Sequence, residues 1–100
     1  MNEDKKVLIT GASGGLGRAC AVEAAKAGYY VICHYNGSKA KAEETMKLVE
    51  EAGGKGELIQ FNVSDRADCK EKLDGLTAKL AANGEILWGV INNAGITRDN

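Results

Sequence analysis

The stretch Thr10–Gly17 constrains the fold of this chain more than any other part of the sequence. It reads Thr-Gly-Ala-Ser-Gly-Gly-Leu-Gly, follows the apolar run Val7–Ile9 and opens into an alanine-rich segment. Gly11 permits a tight turn out of a buried strand, while Gly15 and Gly17 let backbone and helix approach closely. Unpaired N–H groups in the first turn of the helix then form an anion site. The pattern predicts a nucleotide-binding turn, with a plain glycine-rich turn as the alternative.

Composition limits the classes of protein to which the chain can belong. Its 100 residues fit one domain, and its net charge of -1 gives no electrostatic reason to expect a nucleic-acid partner or an anionic membrane surface. No apolar run approaches the roughly 18 residues of a membrane span. The charged N-terminus differs from a signal peptide, so we expect a cytoplasmic protein. Cys20, Cys33 and Cys69 lack a CxxC pairing and are predicted to be buried thiols, without disulfides and without a metal.

The rest of the chain alternates strand and helix patterns. Small and apolar residues recur at helical spacing in each helix, and Gly or Asn-Gly follows each one. The predicted strands are Lys6–Thr10, Tyr30–Tyr35, Glu57–Asn62 and Ile86–Asn92. The predicted helices run from about Leu16 to Lys26, from a Ser38 cap to Gly53, and from a Ser64 or Asp65 cap to Asn83. Their predicted packing faces are Leu16, Ala19, Cys20 and Ala24; Ala42, Thr45, Met46 and Val49; and Cys69, Leu73, Leu76 and Leu80.

Strands separated by helices of this length imply right-handed crossovers and a parallel sheet. We therefore predict an α/β fold of Rossmann-like type, a doubly wound parallel sheet with strand order 3-2-1-4. A nucleotide would lie at the switch point between the first and fourth strands. Residues 1–100 are interpreted as one dinucleotide-binding domain.

The segment after the second strand bears on the choice of cofactor. An NAD site usually has a carboxylate about 20 positions past the glycines, to accept hydrogen bonds from the ribose. Here the segment is Tyr35–Lys39, and no carboxylate occurs before Glu43. Asn36, Ser38 and Lys39, with Arg18 nearby, offer donors for a 2′-phosphate, so the sequence favours NADP. The alternative is that Lys39 is only a solvated lysine at the start of a helix.

Two further polar segments follow strands. Asn62-Val63 offers an amide to the amine of an adenine and a methyl surface to its ring. Asn92-Asn93-Ala94-Gly95 ends the fourth strand with small residues that a ribose and a nicotinamide can approach. Because the carboxyl ends of parallel strands meet at one edge of the sheet, both segments are predicted to join the glycine turn there.

Together these motifs resemble the short-chain dehydrogenase/reductase family over essentially the whole chain. The continuation Asn-Asn-Ala-Gly-Ile-Thr-Arg-Asp resembles its bacterial 3-oxoacyl-[acyl-carrier-protein] reductases and the related acetoacetyl-CoA reductases. Carried over by position, the resemblance implies a pyrophosphate and ribose at Gly11, Ala12, Ser13, Gly14 and Leu16. It implies the 2′-phosphate at Asn36 and Ser38, adenine at Asn62 and Val63, and the nicotinamide ribose at Asn93, Ala94 and Gly95.

The resemblance also implies an activity: reduction of a 3-oxoacyl thioester on acyl-carrier protein by NADPH, in a homotetrameric parent enzyme. The family's catalytic Ser, Tyr and Lys lie beyond this chain. The chain is therefore interpreted as the amino-terminal part of a longer reductase, which is active as a whole while this part alone is not. Tyr35 and Lys39 match Tyr-x-x-x-Lys but lie in the adenosine half of the site, so no catalytic residue is assigned. His34 is interpreted as a polar residue at a strand end.

Two departures from the family pattern stand out. Many NADP-dependent relatives carry an arginine in place of Gly14, and the spacing around Leu87-Trp88-Gly89 is one residue longer than usual.

Val90-Ile91 would lie on an unpaired apolar edge of the sheet, which predicts marginal stability or self-association of the chain.

Other functions remain open. They are an acetoacetyl-CoA reductase or another short-chain ketoreductase, and a free-standing nucleotide-binding module without catalysis. A flavodoxin-like signalling domain is disfavoured, because the first loop carries glycines instead of acidic residues.

Overall fold

The computed structural model describes residues 5–12, 15–62, 64–85 and 87–92. Four strands alternate with three helices, as the sequence predicts. In chain order they are β1 (Lys6–Thr10), α1 (Gly15–Lys26), β2 (Tyr30–Tyr35), α2 (Lys39–Glu51), β3 (Lys55–Gln60), α3 (Arg66–Ala82) and β4 (Leu87–Asn92). The side chains of Ser38 and Asp65 accept backbone N–H groups at the starts of α2 and α3, which confirms both predicted caps.

The sheet is parallel throughout, with strand order β3-β2-β1-β4. This confirms the predicted Rossmann-like α/β fold. β2 lies beside β1, and β3 lies beyond β2; the chain then crosses back and places β4 on the other side of β1. The direction of winding therefore reverses between β1 and β4. The carboxyl ends of these two neighbouring strands meet where Thr10 pairs with Asn92.

Helices cover both faces of the sheet because alternate strand residues point to opposite sides. On one face Val7 and Ile9 of β1 join a core cluster with residues of α1 and α2. On the other face Leu8 and Ile32 join Leu76 and Leu80 of α3. The predicted packing faces of α2 and α3 are confirmed, since every residue of both faces is buried or half-buried. Those that belong to the two clusters or pack against them are Met46, Val49, Leu73, Leu76 and Leu80.

The predicted bounds of the third strand were wrong by two residues. β3 begins at Lys55 and ends at Gln60, because it pairs with β2 residue for residue along their whole length. Gly56 lies inside this strand, opposite Val31. A Cβ on Gly56 would lie 2.0 Å from the Val31 carbonyl oxygen, so only glycine fits there.

The predicted packing face of α1 was also partly wrong. The helix buries Gly17, Ala21 and Ala25, one residue per turn, while Leu16 and Ala19 are exposed. The contact of Gly17 with the preceding turn sets the rotation of the helix about its axis. This rotation leaves Leu16 at the first turn, facing outward.

β4 contains one extra residue relative to β1. Lys6 pairs with Leu87 but Val7 pairs with Gly89, so Trp88 bulges out of the register. The extra residue lies in Leu87-Trp88-Gly89, the segment that departs from the family pattern. The Trp88 ring stacks on Tyr29 with centroids 5.2 Å apart, and the Lys5 ammonium lies 5.0 Å from its centroid.

The three cysteines are free thiols, but only Cys33 is fully buried; Cys20 and Cys69 are half-buried, which corrects the prediction for those two. Burial raises the pKa of the Cys33 thiol to about 12, so it stays protonated and unreactive. In the part of the chain that the structure describes, no helix has the length and apolar character to cross a membrane.

Candidate cofactor site at the carboxyl edge of the sheet

The turn from β1 into α1 carries the geometry that the glycine pattern predicts. Gly11 has φ 64° and Gly15 has φ 58°, conformations that residues with a side chain rarely adopt. A Cβ on Gly17 would lie 2.0 Å from the Gly11 carbonyl oxygen, so the helix rests directly on the turn. A Cβ on Gly15 would meet no atom within 4 Å, so the space at the start of the helix is open.

Hydrogen bonds with residues of β2 and α2 hold the first two residues of this turn in position. The N–H of Gly11 donates to His34 Nδ1 at 3.0 Å, and the N–H of Ala12 donates to the His34 carbonyl at 2.9 Å. The carbonyl of Ala12 accepts the Thr45 hydroxyl at 2.7 Å. Thr45 is fully buried, so this bond is shielded from water. Gly11 and Ala12 are therefore held in position by β2 and α2.

His34 is a polar residue near the end of β2, as interpreted from the sequence, and it is buried within the fold. Its Nε2 donates to the carbonyl of Phe61 at 2.8 Å, and the two rings lie 4.0 Å apart between centroids. Burial lowers the pKa of His34 below its ordinary value, and the Phe61 carbonyl opposes this only in part. The ring is therefore neutral near physiological pH.

Arg18 of α1 contacts α2. Its Nε donates to Thr45 Oγ1 at 2.9 Å, and one terminal nitrogen lies 3.0 Å from the carbonyl oxygen of Lys41 and 3.3 Å from Glu44 Oε1. The guanidinium thus joins the two helices that flank the turn. These contacts direct it toward the first two turns of α2.

The segment after β2 presents polar groups to the same edge. Ser38 caps α2, Lys39 is exposed at the first position of that helix, and Gly37 has open space on its Cβ side. The carbonyl of Asn36 accepts Gln60 Nε2 at 2.8 Å, which joins this segment to the end of β3. The arrangement offers hydroxyl, amide and ammonium donors, as an anionic ligand requires.

Asn62 follows β3 in a defined turn. Its side-chain oxygen accepts the N–H of Ser64 at 2.9 Å, and its own N–H donates to Asp68 Oδ2 at 2.8 Å. This backbone donor, assisted by Lys72, lowers the pKa of the Asp68 carboxyl. Asn62 is exposed and therefore accessible to a ligand.

Six of the predicted site residues are described, and they lie after β1, β2 and β3 at one edge of the sheet. They are Gly11, Ala12, Leu16, Asn36, Ser38 and Asn62. The other six lie outside the described residues: Ser13, Gly14, Val63, Asn93, Ala94 and Gly95. Leu16 is 55% exposed at the first turn of α1, so its side chain is available to a ligand.

Sequence reasoning missed two residues that shape the site, His34 and Thr45. A signal for His34 was present, because a polar residue inside the apolar run of a central strand needs a buried partner. The sequence carried no such signal for Thr45, since its spacing in α2 fits a core position equally well.

Among residues 5–12, 15–62, 64–85 and 87–92, no group of three or more His, Cys, Asp or Glu residues is arranged to hold a metal ion.

Comparison with known proteins decides the family. Residues 5–100 match the family described as short chain dehydrogenase. The chain belongs to the short-chain dehydrogenase/reductase family.

Individual relatives differ in how much of their length the chain covers. It is 40% identical over 94 residues to the 3-oxoacyl-[acyl-carrier-protein] reductase FabG of Aggregatibacter actinomycetemcomitans, covering 94% of this chain but only 37% of that reductase. It is 36% identical over 95 residues to the short-chain dehydrogenase/reductase homolog YusS of Bacillus subtilis, covering 95% of this chain and 84% of YusS. The chain therefore spans just over a third of one relative and most of the other.

A solved member of the family has a cofactor in place. The landomycin C-6 ketoreductase LanV, with bound NADP and rabelomycin, superimposes with a TM-score of 0.70 at 32% identity. The match covers 81% of this chain and 34% of LanV. The shared fold makes a nicotinamide dinucleotide the class of cofactor to consider for this chain.

Proposed function

We propose that this chain is the NADPH-binding part of a short-chain ketoreductase that reduces 3-oxoacyl groups on acyl-carrier protein to 3-hydroxyacyl groups. The observation that carries the proposal is the turn from Gly11 to Gly17, open at Gly15 and closed by the helix at Gly17. The name of the 40% identical relative supports the choice of substrate.

The described residues fit a dinucleotide. The start of α1 offers backbone N–H groups to a pyrophosphate, with no side chain at Gly15 in the way. Leu16 offers apolar surface beside it, and Asn62 lies at the expected adenine end. When bound, NADPH supplies the hydride for reduction of a carbonyl. The assigned residues bind and orient the cofactor, and none is assigned a proton-transfer role.

The preference for NADPH over NADH rests on the segment after β2. Ser38 and Lys39 offer donors at the start of α2, and no carboxylate stands between Tyr35 and that helix. A carboxylate there would repel a 2′-phosphate, whereas an ammonium attracts it. We propose Asn36 and Ser38 as the groups nearest the phosphate.

Titration of the chain with NADPH and NADH, followed by cofactor fluorescence, tests this proposal. We expect saturable binding of both, tighter for NADPH. Lys39→Glu should reverse the preference, and Lys47→Glu, an equal charge change on an exposed later turn of α2, should leave it unchanged. Failure of a folded sample to bind either cofactor would contradict the proposal, and tighter binding of NADH would contradict the assignment of NADP.

A second candidate function is a nucleotide-binding module without catalysis. The coverage of YusS favours it, because this relative is little longer than the region it shares with the chain. The reading frame of the gene separates the two candidates. A continuation past Asn100 that encodes the family's catalytic Ser, Tyr and Lys would favour the reductase, and a stop codon directly after Asn100 would favour the module.

A further inference from the structure

His34 has a place in the fold that the proposed cofactor contacts do not use. It lies in β2, between two neighbouring strands, and its side chain is only 1% exposed. A buried polar side chain lowers stability unless its hydrogen-bonding groups are satisfied, so its partners show why it is tolerated there.

Both ring nitrogens of His34 have backbone partners. Nδ1 accepts the N–H of Gly11 at 3.0 Å, and Nε2 lies 2.8 Å from the carbonyl oxygen of Phe61. An N–H can only donate and a carbonyl can only accept, so the neutral ring with its hydrogen on Nε2 satisfies both. The imidazole therefore acts as a bridge with a fixed direction.

The two ends of this bridge belong to opposite walls of the candidate site. Gly11 begins the turn that would hold the pyrophosphate, and Phe61 immediately precedes Asn62 at the adenine end. The carbonyl of His34 also accepts the N–H of Ala12. His34, in the strand that lies between β1 and β3, thus contacts the turns that follow both of these strands.

We propose that His34 is a positioning residue that sets the distance between the phosphate turn and the adenine turn, so that one dinucleotide engages both. The inference rests on the proposed function, since it assumes that a dinucleotide occupies this edge. It does not place His34 in contact with the cofactor. The residue acts through Gly11 and Phe61, and the rigid imidazole keeps their separation constant.

Three substitutions at this position separate the two bonds. In His34→Asn the side-chain oxygen takes the place of Nδ1 and keeps the acceptor for Gly11. In His34→Gln the side-chain nitrogen takes the place of Nε2 and keeps the donor to Phe61. His34→Leu removes both. Ile32→Val, a buried change two residues earlier on the same face of β2, serves as the control for a general loss of stability.

NADPH affinity is measured for each variant of the chain, with circular dichroism to establish that each is folded. We expect His34→Leu to weaken binding about tenfold, since it leaves the half-buried N–H of Gly11 without its acceptor. His34→Asn and His34→Gln should each recover part of the affinity, and Ile32→Val should bind as the unmodified chain does. Unchanged affinity in folded His34→Leu, or no recovery in either polar variant, would overturn the proposal.

A second measurement does not depend on the cofactor. Nuclear magnetic resonance of the unliganded chain reports the tautomer of His34 and the hydrogen exchange of the Gly11 amide. We expect hydrogen on Nε2, and a protected Gly11 amide that loses protection in His34→Leu and keeps it in His34→Asn. A ring protonated on Nδ1, or an unprotected Gly11 amide, would overturn the bridge. If the unmodified chain binds no cofactor while the bridge is present, the proposed function fails and only the structural half of the inference stands.

Discussion

At the scale of single residues, the glycines divide into positions that tolerate a side chain and positions that do not. Gly17 lies against the backbone of Gly11, whereas a Cβ on Gly75 of α3 would meet no atom within 4 Å. Both are helical glycines, but only Gly17 belongs to the glycine motif that predicts a close approach of the helix. The difference comes entirely from what lies opposite each one in the fold.

We therefore expect opposite effects from one chemical change at these two positions. Gly17→Ala forces the helix away from the turn and should lower the free energy of unfolding by about 1–3 kcal/mol, with weaker NADPH binding. Gly75→Ala should raise it by about 0.5–1 kcal/mol, since alanine is the better helix former. Chemical denaturation of both variants measures this, and a stable Gly17→Ala variant would show that the helix does not rest on the turn as described.

His34 also makes stability depend on pH. Burial holds its folded pKa below the ordinary value of 6.5, so the unfolded chain takes up a proton first as the pH falls. Stability should decline as the pH drops below about 6.5, and this loss should level off below the folded pKa. The chain has one histidine, so the effect is isolated from other imidazoles.

Denaturant unfolding between about pH 8 and pH 5 measures this dependence. His34→Asn should reduce the slope across the window, whatever its effect on absolute stability. The pKa values of Glu57 and Asp68 are lowered, so these carboxyls should titrate below the window. An equal slope in the unmodified chain and in His34→Asn would contradict a neutral, buried His34.

At the scale of elements, β4 differs from the other strands in its exposure. Within the described sheet it pairs with β1 alone, and Trp88 and Val90 are 51% and 57% exposed. An edge of this kind presents unpaired backbone groups beside apolar side chains, which favours pairing with another strand. Leu87–Asn92 contains none of the charged residues that usually keep an edge strand from pairing with another chain.

We expect the chain to self-associate through this edge as its concentration rises. Val90→Lys should reduce the association measured by sedimentation, because a charge on the edge opposes strand pairing. Ala78→Lys adds the same charge on an exposed position of α3 and should leave association unchanged. A chain that stays monomeric across the accessible concentrations would contradict the role assigned to the edge.

At the scale of the whole molecule, the periodicity of the sequence predicted the layers and the strand order. Alternating strands and helices of this length leave few arrangements of a parallel sheet, and the glycine turn identified the edge where the strands end. Errors arose where a distant neighbour decides the outcome. β3 begins at Lys55 because β2 offers partners from Tyr30 onward, and α1 is rotated by the contact of Gly17 with Gly11.

In the candidate site, too, some residues were predictable from the sequence and others were not. Residues after the strands were predictable because topology brings strand ends together, as with Asn36 and Asn62. The groups that fix their geometry, His34 and Thr45, were not predicted because their roles lie in partners 23 and 33 residues away along the chain. Local patterns carry no information about such pairings.

The bonds that fasten the glycine turn also imply an order of assembly. Gly11 and Ala12 leave the ribosome early, yet every partner described for them, at His34 and Thr45, is synthesised later. The anchor of His34 at Phe61 emerges later still. The part of the site that is made first therefore acquires its final shape only after about three-fifths of the chain has been translated.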